Sequence, residues 1–212
     1  MKNFRASFAA LLFLLGNCLA LPALAQNQVT DLAAPTVVAP VAGPRVAIET
    51  SLGRFVVELY PEKAPRTVAN FLDYVRDGHY NGTVFHRVIA DLLIQGGAFT
   101  PDMQQKPERA PVANESNNGL SNLRGTLGAA RRNSKKDSAT AQFFINTVDN
   151  RQFDYKGDAT PAMTGYCVFG RVVEGMEIID KIRAMPTGPH PPFPSGVPLT
   201  AVVIERASIV EP

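Results

Sequence analysis

The sequence predicts a mainly β protein: a closed antiparallel barrel of eight strands, with two α-helices capping its open ends. Three observations point there. Most regular segments are short, rich in β-branched and aromatic residues, and bounded by turn formers. Only two stretches carry the apolar spacing of a helix. The length of 212 residues, without an internal repeat, suits one folded domain.

The first residues are read apart from the fold. Lys2 and Arg5 precede an apolar run over residues 8–15, and Ala23-Leu24-Ala25 has the small-x-small pattern of a cleavage site, so residues 1–25 are expected to be a signal peptide. The run is too short to span a bilayer, which takes about 18 apolar residues. Cleavage would leave Gln26 as the first residue. Cys18 stands where a lipoprotein signal places its acylated cysteine, but Asn17 is not the small residue wanted before it. An exported chain without a membrane anchor is expected. Residues 26–44, rich in Ala, Val and Pro, read as an extended linker, because proline removes donors and disfavours regular elements. The barrel domain is then 45–212.

Within it, residues 46–50 and 54–59 flank Ser51-Leu52-Gly53 as a hairpin. Pro65 suits a first helical turn. Val68, Phe71, Leu72 and Val75 follow at i, i+3, i+4 and i+7, one buried helical face, and Gly78 ends the helix. A second helix starts near Glu174, carries Ile178, Ile179 and Ile182, and stops before Pro186. The remaining strands are expected over 83–89, 92–99, 126–130, 143–148, 167–173 and 200–210.

Composition excludes several function classes. Without the leader the chain has 19 acidic residues balanced by as many basic ones, so no basic face for a nucleic acid or a membrane is expected. The one local cluster, Arg131, Arg132, Lys135 and Lys136 beside Asp137, reads as a solvated loop. Cys167 would be the only cysteine left, in an apolar run where a thiol acts as a small buried hydrophobe. There is no phosphate loop and no Gly-x-Ser-x-Gly elbow. His79, His86 and His190 lack metal-ligand spacing, so neither metal nor cofactor is expected.

Five ordered blocks carry more information. They are the segment from Pro61 to Phe71, Phe85-His86-Arg87-Val88-Ile89, Leu92-Leu93-Ile94-Gln95-Gly96-Gly97-Ala98-Phe99, Ala141-Gln142-Phe143-Phe144-Ile145-Asn146, and the run from Tyr166 to Met176. In this order and spacing, across nearly all of residues 45–210, the chain resembles the cyclophilin family of peptidyl-prolyl cis/trans isomerases. Lys136-Asp137-Ser138-Ala139-Thr140 is similar to the exported bacterial branch. The resemblance implies isomerisation of X-Pro bonds in unfolded or partly folded proteins of the periplasm. The alternatives are a non-catalytic proline-binding or chaperone module, and a secreted β-domain alike in scaffold only.

Physical chemistry agrees with those residue types. Rotation about an X-Pro bond faces a barrier of about 18–20 kcal/mol, because amide resonance must be broken. A catalyst needs an apolar slot for the ring and a fixed cationic donor for the twisting amide, with no nucleophile. Arg87 supplies a permanently charged planar fork. Strand alternation sets Phe85, Arg87 and Ile89 on one face and His86 on the other, where a structural hydrogen bond to loop backbone is expected. Gln95, one strand away, is the natural acceptor for the guanidinium. With Phe144, which the resemblance selects over its neighbour Phe143, Arg87 and Gln95 are the expected catalytic group.

The resemblance places Leu92, Leu93, Phe144 and Phe153 around the substrate proline, and Ala130 and Gln142 along the groove for its backbone. Tyr166 stands where the eukaryotic type has a rim histidine, and Gln152 where that type has a tryptophan. Residues 155–165 are an insertion. With Leu92 and Leu93 in place of larger groups and no tryptophan anywhere, weak cyclosporin binding is expected. A monomer is the default.

Overall fold

The hairpin at Ser51-Leu52-Gly53 opens the barrel. Strand β1 (Arg45–Thr50) pairs antiparallel with β2 (Gly53–Leu59), Thr50 opposite Gly53. The computed structural model describes residues 43–210, so the expected leader and residues 26–42 of the expected linker lie outside the described residues. Pro44, assigned to that linker, already accepts a hydrogen bond from the Leu59 amide at 2.9 Å, so the ordered pairing begins at the end of the linker.

The other elements follow in order: α1 (Pro65–Arg76), β3 (Thr83–Val84), β4 (Arg87–Ile89), β5 (Leu93–Gly96), β6 (Thr126–Ala129), β7 (Phe143–Asn146) and β8 (Val168–Glu174). Then come α2 (Met176–Arg183), β9 (Thr187–His190), β10 (Phe193–Pro198) and β11 (Val203–Val210). The main sheet runs β3-β11-β1-β2-β8-β6-β7-β5-β4, and every pairing in it is antiparallel. Its edge strands β3 and β4 are two halves of one segment, so the sheet curls until both edges meet in residues 83–89. Counted as one strand, they complete the eight-stranded barrel.

Alternation builds the core. Phe55, Val57, Ile94, Phe143 and Ile145 point inward, and α1 covers one end with Val68, Phe71, Leu72 and Val75. Phe71 is central there, with ring centroids 5.1 Å from Tyr80, 5.3 Å from Phe169 and 5.6 Å from Phe143. Helix α2 buries Ile178, Ile179 and Ile182. Each fully buried side chain of this size contributes about 1.5–3 kcal/mol, so these stripes hold the helices in place.

Two features depart from the reading above. The expected strand 83–89 breaks at Phe85-His86, where Phe85 turns into the core against Phe143 and Phe55. Phe85 therefore does not share a face with Arg87, as strict alternation required. The second feature is a separate hairpin, β9–β10, with a cis Pro191–Pro192 bond between its strands. Its sequence is dense in proline and glycine, which β propensity counts against a strand.

Candidate active site

Strand register assembles the site. Arg87 lies opposite Gln95, Gln95 opposite Phe144, and Phe144 opposite Gly128, one row across β4, β5, β7 and β6. Directly opposed residues share a face, so this row looks out of the barrel while Val88, Ile94 and Phe143 fill it. Arg87 Nη1 donates to Gln95 Oε1 at 3.3 Å, and Gln95 Nε2 donates to Gln142 Oε1 at 2.9 Å. The three side chains form a chain of donors ending in an exposed guanidinium. Among the described residues Arg87 makes no ion pair, so its charge faces the cavity uncompensated.

The row borders a cavity of about 720 Å³, within the range of small-ligand sites. Leu92 and Leu93 line it beside Arg87 and Gln95, and Ala130 and Gln142 line it where it meets a second groove. Phe144, Phe153 and Tyr166 form an aromatic wall: Phe144 lies 6.0 Å from Phe153 and 5.6 Å from Tyr166, edge-on to both. Phe153 and Tyr166 stand 5.1 Å apart. Edge-to-face geometry suits ring quadrupoles and locks the wall in place. All nine residues singled out from the sequence border this one cavity.

Buried polar groups hold the wall from behind. Asn150, 1% exposed, donates to the Leu92 carbonyl at 2.7 Å and to Asn146 Oδ1 at 2.8 Å. Thr147 Oγ1 donates to the Ala90 carbonyl at 2.8 Å. These bonds tie the turn carrying Leu92 to β7 and to the 3₁₀ turn Arg151–Phe153. Gln152 is exposed, does not line the cavity, and spends its amide on Asn150 Oδ1 at 2.9 Å.

Six further residues border the cavity: His86, Phe99, Arg131, Asn133, Ser134 and Phe193. His86 faces it beside Arg87, because the strand break at Phe85 undoes alternation. Its Nδ1 has no hydrogen-bond partner, and burial pushes the imidazole pKa down to about 4, only partly opposed by the Val84 backbone. Arg131 is not the solvated loop residue its cluster suggested. Its Nε donates to the Gly165 carbonyl at 2.8 Å, its Nη2 to the Pro161 carbonyl at 2.7 Å, and its guanidinium lies 4.7 Å over the Tyr166 ring. Inserted residues 155–165 thus supply the carbonyls that seat it, a pairing with no sequence signature. Asn133 and Ser134 add polar lining from the loop that carries Arg131, Phe99 comes from the end of the expected strand 92–99, and Phe193 lies in a segment where no strand was expected. Cys167 lies apart, 2% exposed, its thiol pushed up to about 12 by burial.

Chemically, this arrangement offers an apolar slot beside a fixed cation and a row of amide donors and acceptors. Among the described residues no group of three His, Cys, Asp or Glu could hold a metal ion, and no helix is long and apolar enough to cross a membrane.

Comparison with known proteins agrees with that geometry. Residues 45–209 match the family model described as cyclophilin type peptidyl-prolyl cis-trans isomerase/CLD. A peptidyl-prolyl cis-trans isomerase of Streptomyces antibioticus is 53% identical over 165 residues, covering 78% of this chain and 98% of the relative. Peptidyl-prolyl cis-trans isomerase B of Escherichia coli is 48% identical over 166 residues, covering 78% and 99%. A cyclophilin type isomerase of Cryptosporidium parvum, solved in the presence of the dipeptide Ala-Pro, superposes with a TM-score of 0.67 at 25% identity, covering 79% of this chain and 99% of its own.

Proposed function

The chain belongs to the cyclophilin-type peptidyl-prolyl cis-trans isomerases, and from that premise we propose how its residues divide the work. The substrate proline ring enters against Leu92, Leu93, Phe144 and Phe153, with Tyr166 at the rim. Arg87 acts on the amide as it twists, and Gln95 holds the guanidinium. Ala130 and Gln142 border the groove for the substrate backbone. The observation that carries this reading is the row Arg87–Gln95–Phe144: an unpaired cation and an aromatic slot fixed side by side by strand register.

The chemistry is electrostatic. As the C–N bond rotates, resonance is lost and the electron pair shared with the carbonyl oxygen returns to the imide nitrogen, where a guanidinium N–H can meet it. A guanidinium already in place stabilises that redistribution without reorganising solvent. Uncatalysed exchange takes on the order of 10–100 s, so modest stabilisation is enough to matter. No covalent intermediate or proton transfer is required.

In this reading residues 1–25 act as a cleavable signal peptide that directs the enzyme to the periplasm, where it works as a monomer on X-Pro bonds of unfolded or partly folded proteins. The support is the charged start, the apolar run and Ala23-Leu24-Ala25.

A protease-coupled assay on a short X-Pro peptide tests the division of roles. Arg87→Ala lowers kcat/KM by about 10²-fold, a loss of roughly 3 kcal/mol of transition-state stabilisation. Arg87→Lys recovers little, because the planar fork is gone. An alanine variant that folds and keeps near-wild-type turnover removes Arg87 from the mechanism.

A further inference from the structure

The hairpin β9–β10 takes no part in the barrel, yet one of its aromatic rings stands in the cavity. Phe193 opens β10, with its ring 5.2 Å from His86 and 5.1 Å edge-on from Phe99, and those two rings are 4.7 Å apart. The cavity therefore has two aromatic triads. One is Phe144, Phe153 and Tyr166; the other is His86, Phe99 and Phe193, on the Arg87 side of the row.

The hairpin is seated rather than loose. Val197 is 3% exposed, and the Leu199 amide donates to the Pro186 carbonyl at 2.9 Å across its base. Gly196 lies against β4, where a Cβ would be in van der Waals contact, 3.5 Å from the Val88 carbonyl oxygen and 3.9 Å from Arg87 Cγ. An anchored element thus presents Phe193 next to the cation, where no barrel strand supplies an aromatic side chain. Packing of the hairpin alone would not require the ring to line the cavity.

Geometry says what this second triad would meet. His86 lies directly on the Arg87 side of the row, and its ring lines the same cavity as Arg87, Phe99 and Phe193. With the twisting amide at Arg87, the side chain next to the proline falls toward His86, Phe99 and Phe193. A cavity of about 720 Å³ has room beyond a prolyl ring for that side chain. Phe99 and Phe193 are half-buried and offer apolar ring surface to it.

We propose that Phe193, with Phe99 and His86, forms a second apolar subsite that takes a large apolar side chain, preferentially aromatic, next to the substrate proline. This rests on Arg87 and the Phe144 wall holding the prolyl bond. Edge-to-face contact with two rings favours an aromatic ring over a methyl group.

The test is exchange spectroscopy on three peptides in the full-length enzyme: Ala before and after proline, Phe before it, and Phe after it. The wild type is expected to favour one of the two Phe peptides over the Ala peptide by about 5- to 10-fold in kcat/KM. Phe193→Ala is expected to erase most of that preference, its loss falling at least several-fold harder on the favoured Phe peptide. Phe193→Leu keeps the hairpin's apolar contact and is expected to be intermediate. Turnover of all three peptides at one rate by the wild type overturns the subsite while leaving the isomerase site standing. So does an equal loss on every peptide in both variants, which marks Phe193 as purely structural. No dependence on Arg87 in any peptide would overturn the underlying site instead.

Discussion

Gly128 on β6 lies directly opposite Phe144 on β7, and a Cβ on Gly128 would stand 2.5 Å from Cε1 and 2.6 Å from Cε2 of the Phe144 ring. The bare Cα is what lets the ring lie down on the neighbouring strand. From there it meets Phe153 and Tyr166 edge-on and forms the cavity wall.

Gly128→Ala therefore pushes the Phe144 ring toward the proline slot. Overpacking of this kind costs about 1–3 kcal/mol of stability. The expected signature is kinetic: kcat/KM on an X-Pro peptide falls about tenfold. Phe144→Leu made on top of Gly128→Ala costs much less than the same change in the wild type, because the two side chains compete for one space. Strictly additive losses in that double-mutant cycle would mean that Gly128 does not position the ring.

His86 gives a pH dependence with a definite sign. Burial holds its folded-state pKa at about 4, below the ordinary value of 6.5. As pH falls through 6.5 the unfolded chain takes up a proton that the folded protein refuses, so the unfolded state binds more protons and stability falls with pH. The contribution is complete above about pH 7, is lost between pH 6.5 and 4, and flattens below. The gap amounts to about 3 kcal/mol at most. His79, also lowered chiefly by burial, adds in the same direction. Urea denaturation at pH 7 and pH 5 should show the drop, and His86→Gln should reduce it. An identical drop in that variant would assign the effect to other groups.

Much of this was legible in the sequence, and the failures have local causes. The helix stripes and the β1–β2 hairpin follow from spacing and turn chemistry, so their residues carry the signal themselves. Row mates such as Arg87 and Gln95 followed from the five ordered blocks, not from periodicity. Phe85 was misplaced because alternation assumes an unbroken strand, and the break comes from the pull of Phe55 and Phe143 on its ring. Arg131 and Phe193 escaped because the carbonyls of Pro161 and Gly165, and the rings of His86 and Phe99, are distant in sequence from what they hold. Gly128 carries no signal alone; its meaning lies in the ring across the strand.

Export makes a prediction independent of the site. Mass spectrometry of protein secreted across the inner membrane should find Gln26 at the amino terminus. A chain starting at Gly43 should melt within a few degrees of the form starting at Gln26, because Pro44 already makes the first pairing with β2. An amino terminus at Met1 in the periplasmic fraction would refute cleavage, and a large drop in melting temperature would mean that residues 26–42 pair with the barrel.

The last prediction concerns cyclosporin. By family resemblance the drug-sensitive type has an indole at the pocket edge, which offers a large apolar face and an N–H donor. Gln152 stands at that position here, exposed, with its amide committed to Asn150 Oδ1 at 2.9 Å rather than to the cavity. Its neighbour Phe153 lines the cavity instead, packed against Phe144. Loss of the buried aromatic contact should weaken the drug by about 2–3 kcal/mol, or roughly 30- to 150-fold in affinity. Peptide turnover should suffer far less, because in the proposed division of roles the prolyl ring rests on Leu92, Leu93 and Phe144 while Arg87 acts on the amide. Gln152→Trp should therefore tighten inhibition at least tenfold with turnover changed by less than about threefold; the lost bond to Asn150 is a neutral one worth about 1 kcal/mol. Titration of both proteins under one assay condition decides it. Wild-type inhibition as tight as in tryptophan-containing relatives would sink the idea, and so would no gain from the added indole.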